Sequence, residues 1–453
     1  MRVCIVVICL AGLCCSLCAA DQLAEHALAA MAKAARFMDE NVATRGGYLW
    51  WYAADLSQRA GEGKATPDQV WVQAGTPMIG MCYLRAYETT GDEFYLSLAS
   101  KAAQALIWDQ LECGGWDYKI DFSEAGEKTW YYRHLVGAEG LDTGKLRNTG
   151  VFDDNNTQSA VRLLMAVDQA VGSEEPYHDA AMYGLDYMLE AQFENGAWAQ
   201  RFPLAAKGYS RYYTFNDNSI NDCIAVMLMA WDIYQDDKYR EGAGRGGDFI
   251  ILSQQDQPQA GWAQQYDWNM KPAGARKFEP ASLCPAVTSR NLRSLVDLYL
   301  ALGDEKYLAP IPPAIQWLEA CKIGDDVWPR FVEIGTDRPL YFTKEYELVY
   351  TDDDLPTHYS FQSGYGVRSS IAYYEAVREA GRDDYLAERN KPLTAEQARQ
   401  RMAASAQRVQ DVIAALDEQG RWLRDDRIET RTFRQNFDAL RAYVALAAIA
   451  EAD

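Results

Sequence analysis

The sequence is poor in histidine and, outside its first twenty residues, in cysteine. Its four histidines are isolated from one another, and five of its ten cysteines lie in the first twenty residues. The other five are scattered and form no Cys-x-x-Cys pair: Cys82, Cys113, Cys223, Cys284 and Cys321. An odd, dispersed set of this kind argues against a disulfide framework. The lack of His and Cys clusters argues against a zinc site.

Long hydrophobic runs are missing beyond the N-terminus. The chain begins "MRVCIVVICLAGLCCSLCAADQ", in which a basic residue, an apolar stretch and small residues follow in order. This pattern predicts a secretory signal peptide over residues 1–20, cleaved about after Ala20, because the apolar stretch is too short to span a membrane. We therefore expect a secreted or periplasmic protein without a membrane partner.

Basic charge is scarce relative to acidic charge. The chain has 65 acidic and 44 basic residues among 453, for a net charge of −21. Nucleic acid is thereby disfavoured as a partner, because phosphate binding requires a basic face. An anionic substrate would need cationic side chains gathered at its site.

Helical spacing of apolar residues, by contrast, is present almost throughout, and it is punctuated by a repeat. Five acidic turns end in a tyrosine: Tyr95, Tyr177, Tyr239, Tyr307 and Tyr385. Each is followed by a second short motif that ends in a tryptophan: Trp116, Trp198, Trp262, Trp328 and Trp422. Four of the five Tyr-to-Trp spacings agree within two residues, which indicates an internal repeat.

The repeating unit reads as a helical hairpin with a short acidic turn and a longer exit. If the last helix packs beside the first, about six hairpins close into a ring. We therefore predict an all-α fold, an α/α toroid formed by residues 21–453 as a single, monomeric domain. The long connections should all emerge at one end of the ring, where function usually resides: 112–153, 194–217, 256–284, 322–365 and 420–433.

Two of these connections end in similar polar segments just before apolar helices. "GVFDDNNT" contains Asp153 and Asp154, and "YYTFNDNS" contains Asp217. One carboxylate in each could simply cap the following helix. The surplus of acids and amides, with no His or Cys nearby, instead suits a hard cation such as calcium.

The next two connections supply cationic side chains. "WNMKPAGARKFEPAS" contains Arg276 and "WPRFVEIGTDRPLYF" contains Arg330 and Arg338. These arginines could be paired with Glu279 and Glu333. Arginine in such loops is also how proteins bind a carboxylate through two hydrogen bonds.

Three blocks in this order, "YSRYYTFNDNS", "KPAGARKFEP" and "WPRFVEIGTDRP", resemble the pectic acid lyases, the family-ten polysaccharide lyases. The resemblance covers a core of about residues 110–365. It implies calcium-dependent β-elimination of polygalacturonate on an α/α toroid. "FDDNNT" matches a further family block only loosely, "RFVEIG" has Val where the family has Tyr, and the family is usually described with fewer hairpins.

The resemblance also implies roles for individual residues. Asp217 resembles one calcium ligand, and Asp153 or Asp154 the other. Arg276 resembles the base that removes the C5 proton, and Arg330 a substrate-binding arginine. Lys119, in "GGWDYK", and Arg338 are further candidates for substrate binding.

The leading hypothesis is thus a secreted, calcium-dependent pectate lyase that takes part in pectin degradation. One alternative is a glycoside hydrolase on the same kind of toroid, with Asp153 or Asp154 and Asp217 as its paired carboxylates. The other is a non-catalytic carbohydrate-binding protein that uses aromatic residues of the loops.

Overall fold

The computed structural model describes residues 4–173 and 175–452, with the backbone alone for residues 4–20. Residues 1–3 of the predicted signal peptide lie outside the described residues. Its proposed cleavage site falls within the first helix, and the signal peptide stays a prediction. No helix in the described part of the chain is long and apolar enough to cross a membrane.

Helices dominate the structure. In chain order they are α1 (Cys4–Phe37), α2 (Thr76–Thr90), α3 (Glu93–Asp109), α4 (Glu124–Glu127), α5 (Asn156–Val171), α6 (Tyr177–Glu190), α7 (Ser219–Tyr234), α8 (Asp237–Ser253), α9 (Pro285–Leu302), α10 (Ile311–Ala320), α11 (Val367–Ala380), α12 (Arg382–Arg389), α13 (Ala395–Ala414) and α14 (Thr430–Glu451).

The long helices pair as antiparallel hairpins around a ring. Helices α2, α5, α7, α9, α11 and α14 form an inner layer, and α3, α6, α8, α10, α13 and α1 pack outside them. The last helix, α14, packs against both α1 and α2. The predicted α/α toroid of six hairpins is therefore confirmed, and its first and last helices are neighbours as predicted.

The tryptophans of the repeat have a common structural role. All five are buried, and the indole N–H of each donates to a backbone carbonyl near the end of the preceding outer helix: Leu106, Met188, Ile250, Leu318 and Val412. Each tryptophan thus satisfies a carbonyl left free at a helix C-terminus while it fills the core. The last Tyr-to-Trp spacing is longer because α12 is inserted before the outer helix α13.

Short strands lie in the long connections. They are β1 (Trp51–Ala53), β2 (Arg59–Ala60), β3 (Gln69–Trp71), β4 (Lys119–Asp121), β5 (Gly150–Val151), β6 (Arg201–Phe202), β7 (Tyr213–Thr214), β8 (Gln265–Tyr266), β9 (Trp328–Pro329), β10 (Phe331–Val332), β11 (Pro339–Phe342), β12 (Leu348–Val349), β13 (Gln362–Ser363), β14 (Leu423–Arg424) and β15 (Arg427–Glu429).

Antiparallel pairing of these strands joins neighbouring connections into one rim. Strand β3 pairs with β4, β5 with β6, β7 with β8, and β1 with β15, which links the first connection to the last. Residues 43–75 form a sixth long connection that the sequence analysis did not include. The segments that contain Asp153, Asp154 and Asp217 therefore lie side by side, as predicted from the emergence of the long connections at one end of the ring.

Candidate active site

Two successive inner helices begin with nearly the same turn. Helix α5 follows Phe152–Asn155, with the sequence Phe-Asp-Asp-Asn, and α7 follows Phe215–Asn218, with Phe-Asn-Asp-Asn. The last two residues of each turn have left-handed backbone angles, with φ of 51° and 59° in the first and 46° and 61° in the second. Asp and Asn adopt this conformation more readily than other non-glycine residues, which explains why the Asp-Asn pair recurs.

Matching hydrogen bonds hold the two turns. The N–H of Phe152 donates to the carbonyl of Gln200, and the N–H of Phe215 donates to the carbonyl of Gln264. The side chain of Gln158 spans the gap between the turns, because its Nε2 lies 2.8 Å from the Phe152 carbonyl and 3.3 Å from the Ser219 carbonyl. The turns are therefore fixed next to each other on the rim.

The helix-capping interpretation of the aspartates is wrong. The residues at the N-caps of α5 and α7 are Asn155 and Asn218, and neither makes a capping hydrogen bond through its side chain. Asp153 instead accepts from the hydroxyl of Tyr118 at 2.8 Å and from Nε2 of Gln200 at 3.4 Å. Asp217 accepts from Nδ2 of Asn216 at 2.6 Å.

The three carboxylates differ in access. Asp154 and Asp217 occupy the same position in their turns and both are exposed, whereas Asp153 is half-buried. Asp154 accepts no hydrogen bond from any side chain of the described residues. The open carboxylates are thus those of Asp154 and Asp217.

Desolvation raises the pKa of all three carboxyls, and the charge of neighbouring aspartates adds to the shift in Asp154 and Asp217. Desolvation, together with repulsion from Asp153 and Asp154, raises the pKa of Asp217 to about 7, against the opposing effects of Arg330 and Arg276. Desolvation and the charge of Asp153 raise the pKa of Asp154 to about 6. The pKa of Asp153 is also raised by desolvation, although its hydrogen bond with Tyr118 opposes that shift. This mutual repulsion is what a bound cation would relieve.

Arg276 is paired with the buried carboxylate of Glu279. Its Nε lies 2.7 Å from Oε2 and its Nη2 lies 2.6 Å from Oε1, so the contact has two hydrogen bonds. Glu279 also accepts from Gln264 and from the hydroxyl of Tyr359. Burial alone would raise the pKa of Glu279, but the hydrogen bonds from Arg276 and Gln264 lower it.

This pairing bears on the predicted role of Arg276 as a base. The hydrogen bonds with Glu279 raise the pKa of Arg276 above that of a free guanidinium. A base would need the reverse shift. The side chain is 45% exposed, and its Nη1 has no hydrogen-bond partner in the described part of the chain. The predicted proton transfer through Arg276 stays a prediction.

Arg330 completes the cationic part of the site. Its guanidinium stacks on Tyr359, with Cζ 4.1 Å from the ring centroid, and its buried Nε has no partner within the described residues. The charge of Arg330 lowers the pKa of Asp217, as does that of Arg276. The structure thus brings together Asp153, Asp154, Asp217, Arg276 and Arg330.

The other two candidates have different surroundings. Arg338 pairs with Glu333, with Nε and Nη2 each 3.0 Å from Oε2, and stacks on Tyr350 at the surface. Lys119 lies on β4, with Nζ 4.0 Å from Asp121 and 5.3 Å from the ring of Trp130. Neither is among the charges that shift the three aspartates. Their predicted contacts with substrate stay predictions.

Several contributing residues were missed by sequence reasoning. Tyr118, Gln200, Gln264 and Tyr359 position the carboxylates or the arginines. For the glutamines a signal exists, because the segment Trp-Ala-Gln occurs at both 198–200 and 262–264. For the tyrosines there is none, since their partners are distant in sequence.

The carboxylates alone do not form a complete metal site. No group of three or more His, Cys, Asp or Glu side chains in residues 21–173 and 175–452 is arranged to hold an ion. The donor chemistry is nevertheless that of a hard cation, because the two turns offer carboxylate and amide oxygens. Calcium takes 6 to 8 oxygen ligands, so water or a substrate carboxylate would supply the rest.

One family model matches part of the chain. Residues 121–320 match the family model described as pectic acid lyase. No curated protein matches the chain.

Solved structures resemble the chain in fold. D-mannose isomerase is 14% identical, with a TM-score of 0.50 over 93% of this chain and 97% of that chain. A mutant family 10 polysaccharide lyase from Cellvibrio cellulosa, in complex with trigalacturonic acid, is 18% identical, with a TM-score of 0.47 over 67% of this chain and 98% of that chain. The family 76 α-mannanase of Bacteroides thetaiotaomicron is 11% identical, with a TM-score of 0.44 over 95% of both chains.

The segment that matches the family model contains both turns, the three aspartates, Arg276 and Glu279. Residues 121–320 thus match the pectic acid lyase family model, which confirms the resemblance seen in the sequence blocks.

Proposed function

We propose that the protein is a secreted, calcium-dependent pectate lyase that cleaves polygalacturonate by β-elimination. The observation that carries this proposal is the convergence of three aspartates, Arg276 and Arg330 on one rim, with most of this group inside the family segment. A complex of the Cellvibrio cellulosa lyase with trigalacturonic acid points to the same class of substrate.

The chemistry explains why these residue types are needed. Loss of the C5 proton beside an ionised carboxylate places further negative charge on an anion. Catalysis therefore depends on positive groups that stabilise the developing enolate. Arg330 suits this task, because its buried Nε is unpartnered within the described residues and its stacking on Tyr359 fixes the guanidinium plane.

Calcium would be held by Asp154 and Asp217, with Asp153 beside them. These exposed carboxylates lie on adjacent turns, where desolvation and neighbouring negative charge raise the pKa of both. When bound, calcium would neutralise a uronate carboxylate and favour charge build-up on it. Asp153 is already engaged by Tyr118, so it would act mainly by setting the local charge.

Arg276 would face the C5 proton through Nη1, the end that Glu279 leaves open. Its action as the base requires that substrate binding weaken the contact with Glu279, since that contact raises the pKa of the guanidinium. Glu279→Gln tests this point. If Arg276 is the base, its pKa falls and the rise of kcat with pH moves to lower pH. An unshifted profile would assign Arg276 to substrate binding alone.

The experiment for the whole proposal is direct. The mature chain is mixed with polygalacturonate and calcium, and the ultraviolet absorbance of unsaturated uronide ends is followed. We expect a rise that a chelator abolishes and that Arg276→Ala reduces by about 100-fold or more. Arg408→Gln, an exposed change on α13, serves as the control.

The alternatives give different products. A glycoside hydrolase would release saturated sugars and survive the chelator. A binding protein would retain polygalacturonate without releasing any product. Secretion is checked separately, by sequencing the N-terminus of the exported protein, which should begin at Asp21.

A further inference from the structure

A second group of cationic residues, distinct from Arg276 and Arg330, lies near Asp153. It lines a cavity of about 670 Å³ whose walls include Arg147, Arg201, Leu204 and Asp117. This size falls within the usual range for sites that bind small molecules. None of these residues carries a predicted role.

Both arginines are placed by paired backbone. Arg201 lies on β6, opposite Val151 of β5, two residues before Asp153. The N–H of Arg147 donates to the carbonyl of Thr129, and the carbonyl of Arg147 accepts from Tyr131. The positions of these side chains therefore follow from the rim and not from an isolated loop.

Both guanidinium groups contact aromatic rings, and their N–H donors remain available to a ligand. Cζ of Arg147 lies 5.9 Å from the ring centroid of Trp130, and Cζ of Arg201 lies 5.5 Å from that of Tyr118. Within the described residues, neither side chain forms a salt bridge or a hydrogen bond. A guanidinium has five N–H donors in a planar fork that matches a carboxylate, so each arginine can bind one.

The charge balance of the cavity favours an anion. Asp117 is the one acidic residue among the described residues that line it, and its Oδ2 accepts from the indole N–H of Trp130 at 3.3 Å. Two cations thus face one carboxylate, in a chain whose net charge is −21. A local excess of positive charge is what an acidic polymer requires in order to approach an acidic protein.

Arg201 links the cavity to the active site, because it lines the cavity and its guanidinium lies over the ring of Tyr118. The charge of Arg201 lowers the pKa of Asp153, and the Tyr118 hydroxyl under that guanidinium donates to Asp153. A polymer that enters the active site can therefore extend past Tyr118 toward Arg147. Leu204, which is exposed at the cavity, offers apolar contact for a sugar ring.

We propose that this cavity is an additional subsite, in which Arg201 and Arg147 bind the carboxylate of a uronic acid residue beyond the one in the active site. This inference rests on the proposed function, because it assumes an acidic polysaccharide in the active site. It predicts that affinity increases with the chain length of the oligosaccharide.

Calorimetric titration of digalacturonate and hexagalacturonate, in the presence of calcium, tests the proposal. The Arg276→Ala chain is used so that bound oligomers are not cleaved, and Arg147→Gln is added to it. We expect the affinity for the hexamer to fall about five- to tenfold and that for the dimer to stay within about twofold. Arg147→Lys should retain most of the hexamer affinity, because it keeps the charge.

Matched outcomes separate the proposal from the lyase assignment. Arg408→Gln should change neither affinity. An unchanged hexamer affinity in Arg147→Gln, or no gain in affinity from dimer to hexamer in the parent, overturns the subsite even if the wild-type chain cleaves polygalacturonate. Arginine-dependent hexamer binding by a wild-type chain that releases no unsaturated product supports the subsite and overturns the lyase function. No binding of either oligomer overturns the subsite.

Discussion

The four-residue turns before α5 and α7 have the same backbone conformation and differ in sequence at a single position. Both have Phe first, Asp third and Asn fourth, with the left-handed pair at the end. At the second position the first turn has Asp153, whose carboxylate is engaged by Tyr118, and the second has Asn216, whose amide donates to Asp217. The third position, Asp154 and Asp217, is therefore the shared open carboxylate.

This comparison sharpens the choice that the sequence left open. Sequence reasoning treated Asp153 and Asp154 as equal candidates for the second cation ligand. The equivalence of Asp154 and Asp217 in backbone conformation and exposure favours Asp154. In this interpretation, Asp153 is to Asp154 what Asn216 is to Asp217, a neighbour that supports the turn.

The largest expected effect comes from neutralising either open carboxylate. Asp154→Asn and Asp217→Asn should each reduce kcat/KM on polygalacturonate by about 100-fold or more, because each removes a proposed ligand of the calcium ion that would stabilise the developing charge. Initial rates at saturating calcium measure this loss. Asp237→Asn, an exposed change on α8, is the control. Equal activity in Asp154→Asn and the wild type would break the equivalence of the two turns.

The left-handed asparagines should contribute equally to stability. Oδ1 of Asn155 accepts from Nη1 of Arg162 at 2.8 Å, and Oδ1 of Asn218 accepts from Nε of Arg290 at 3.1 Å. Alanine at either position loses this hydrogen bond and disfavours a positive φ, so we expect a decrease of about 2 kcal/mol in the free energy of unfolding.

Glycine separates the two contributions to that loss. Asn155→Gly and Asn218→Gly remove the hydrogen bond but keep the backbone conformation available, so each should cost about half as much as alanine. Denaturant unfolding of the four variants measures the differences. If alanine and glycine are equally destabilising, the left-handed conformation is not what selects asparagine here.

Calcium affinity should depend on pH through these carboxyls. The pKa values of about 6 for Asp154 and about 7 for Asp217 mean that protons compete with the cation below pH 7. Affinity should therefore rise by about tenfold as the pH increases from 6 to 8, because binding displaces a bound proton. Calcium titrations at several pH values measure this. Asp217→Asn should bind more weakly and lose the dependence near pH 7.

Much of the fold could be read from the sequence because its repeat is local. In three of the hairpins the tryptophan follows, by 10 residues, the carbonyl of the outer helix that it satisfies. The spacing of residues in the sequence therefore predicts the hairpin. The long insertion before Trp422 and the first connection, residues 43–75, were less visible. The insertion shows only as one longer Tyr-to-Trp spacing, and the first connection lies before the first of these spacings.

The candidate site was only partly predictable. Its aspartates and arginines were identified from residue type and order, since each lies in a distinctive loop segment. Its electrostatics were not, because they depend on contacts across the rim. The bond of Tyr118 to Asp153 and that of Tyr359 to Glu279 join residues 35 and 80 positions apart. No local pattern encodes such a pair.

Asp153→Asn should have the smallest effect, because it converts the first turn into the sequence of the second. The change removes a charge that attracts the cation, but it also removes the largest charge repulsion that raises the pKa of Asp217. These consequences oppose each other, so we expect calcium affinity at pH 7 to change by less than about threefold. Tyr118→Phe, which leaves the carboxylate but removes its hydrogen bond, is the matched comparison. A loss in Asp153→Asn as large as that in Asp154→Asn would make Asp153 a ligand, and the two turns would then bind the cation through different positions.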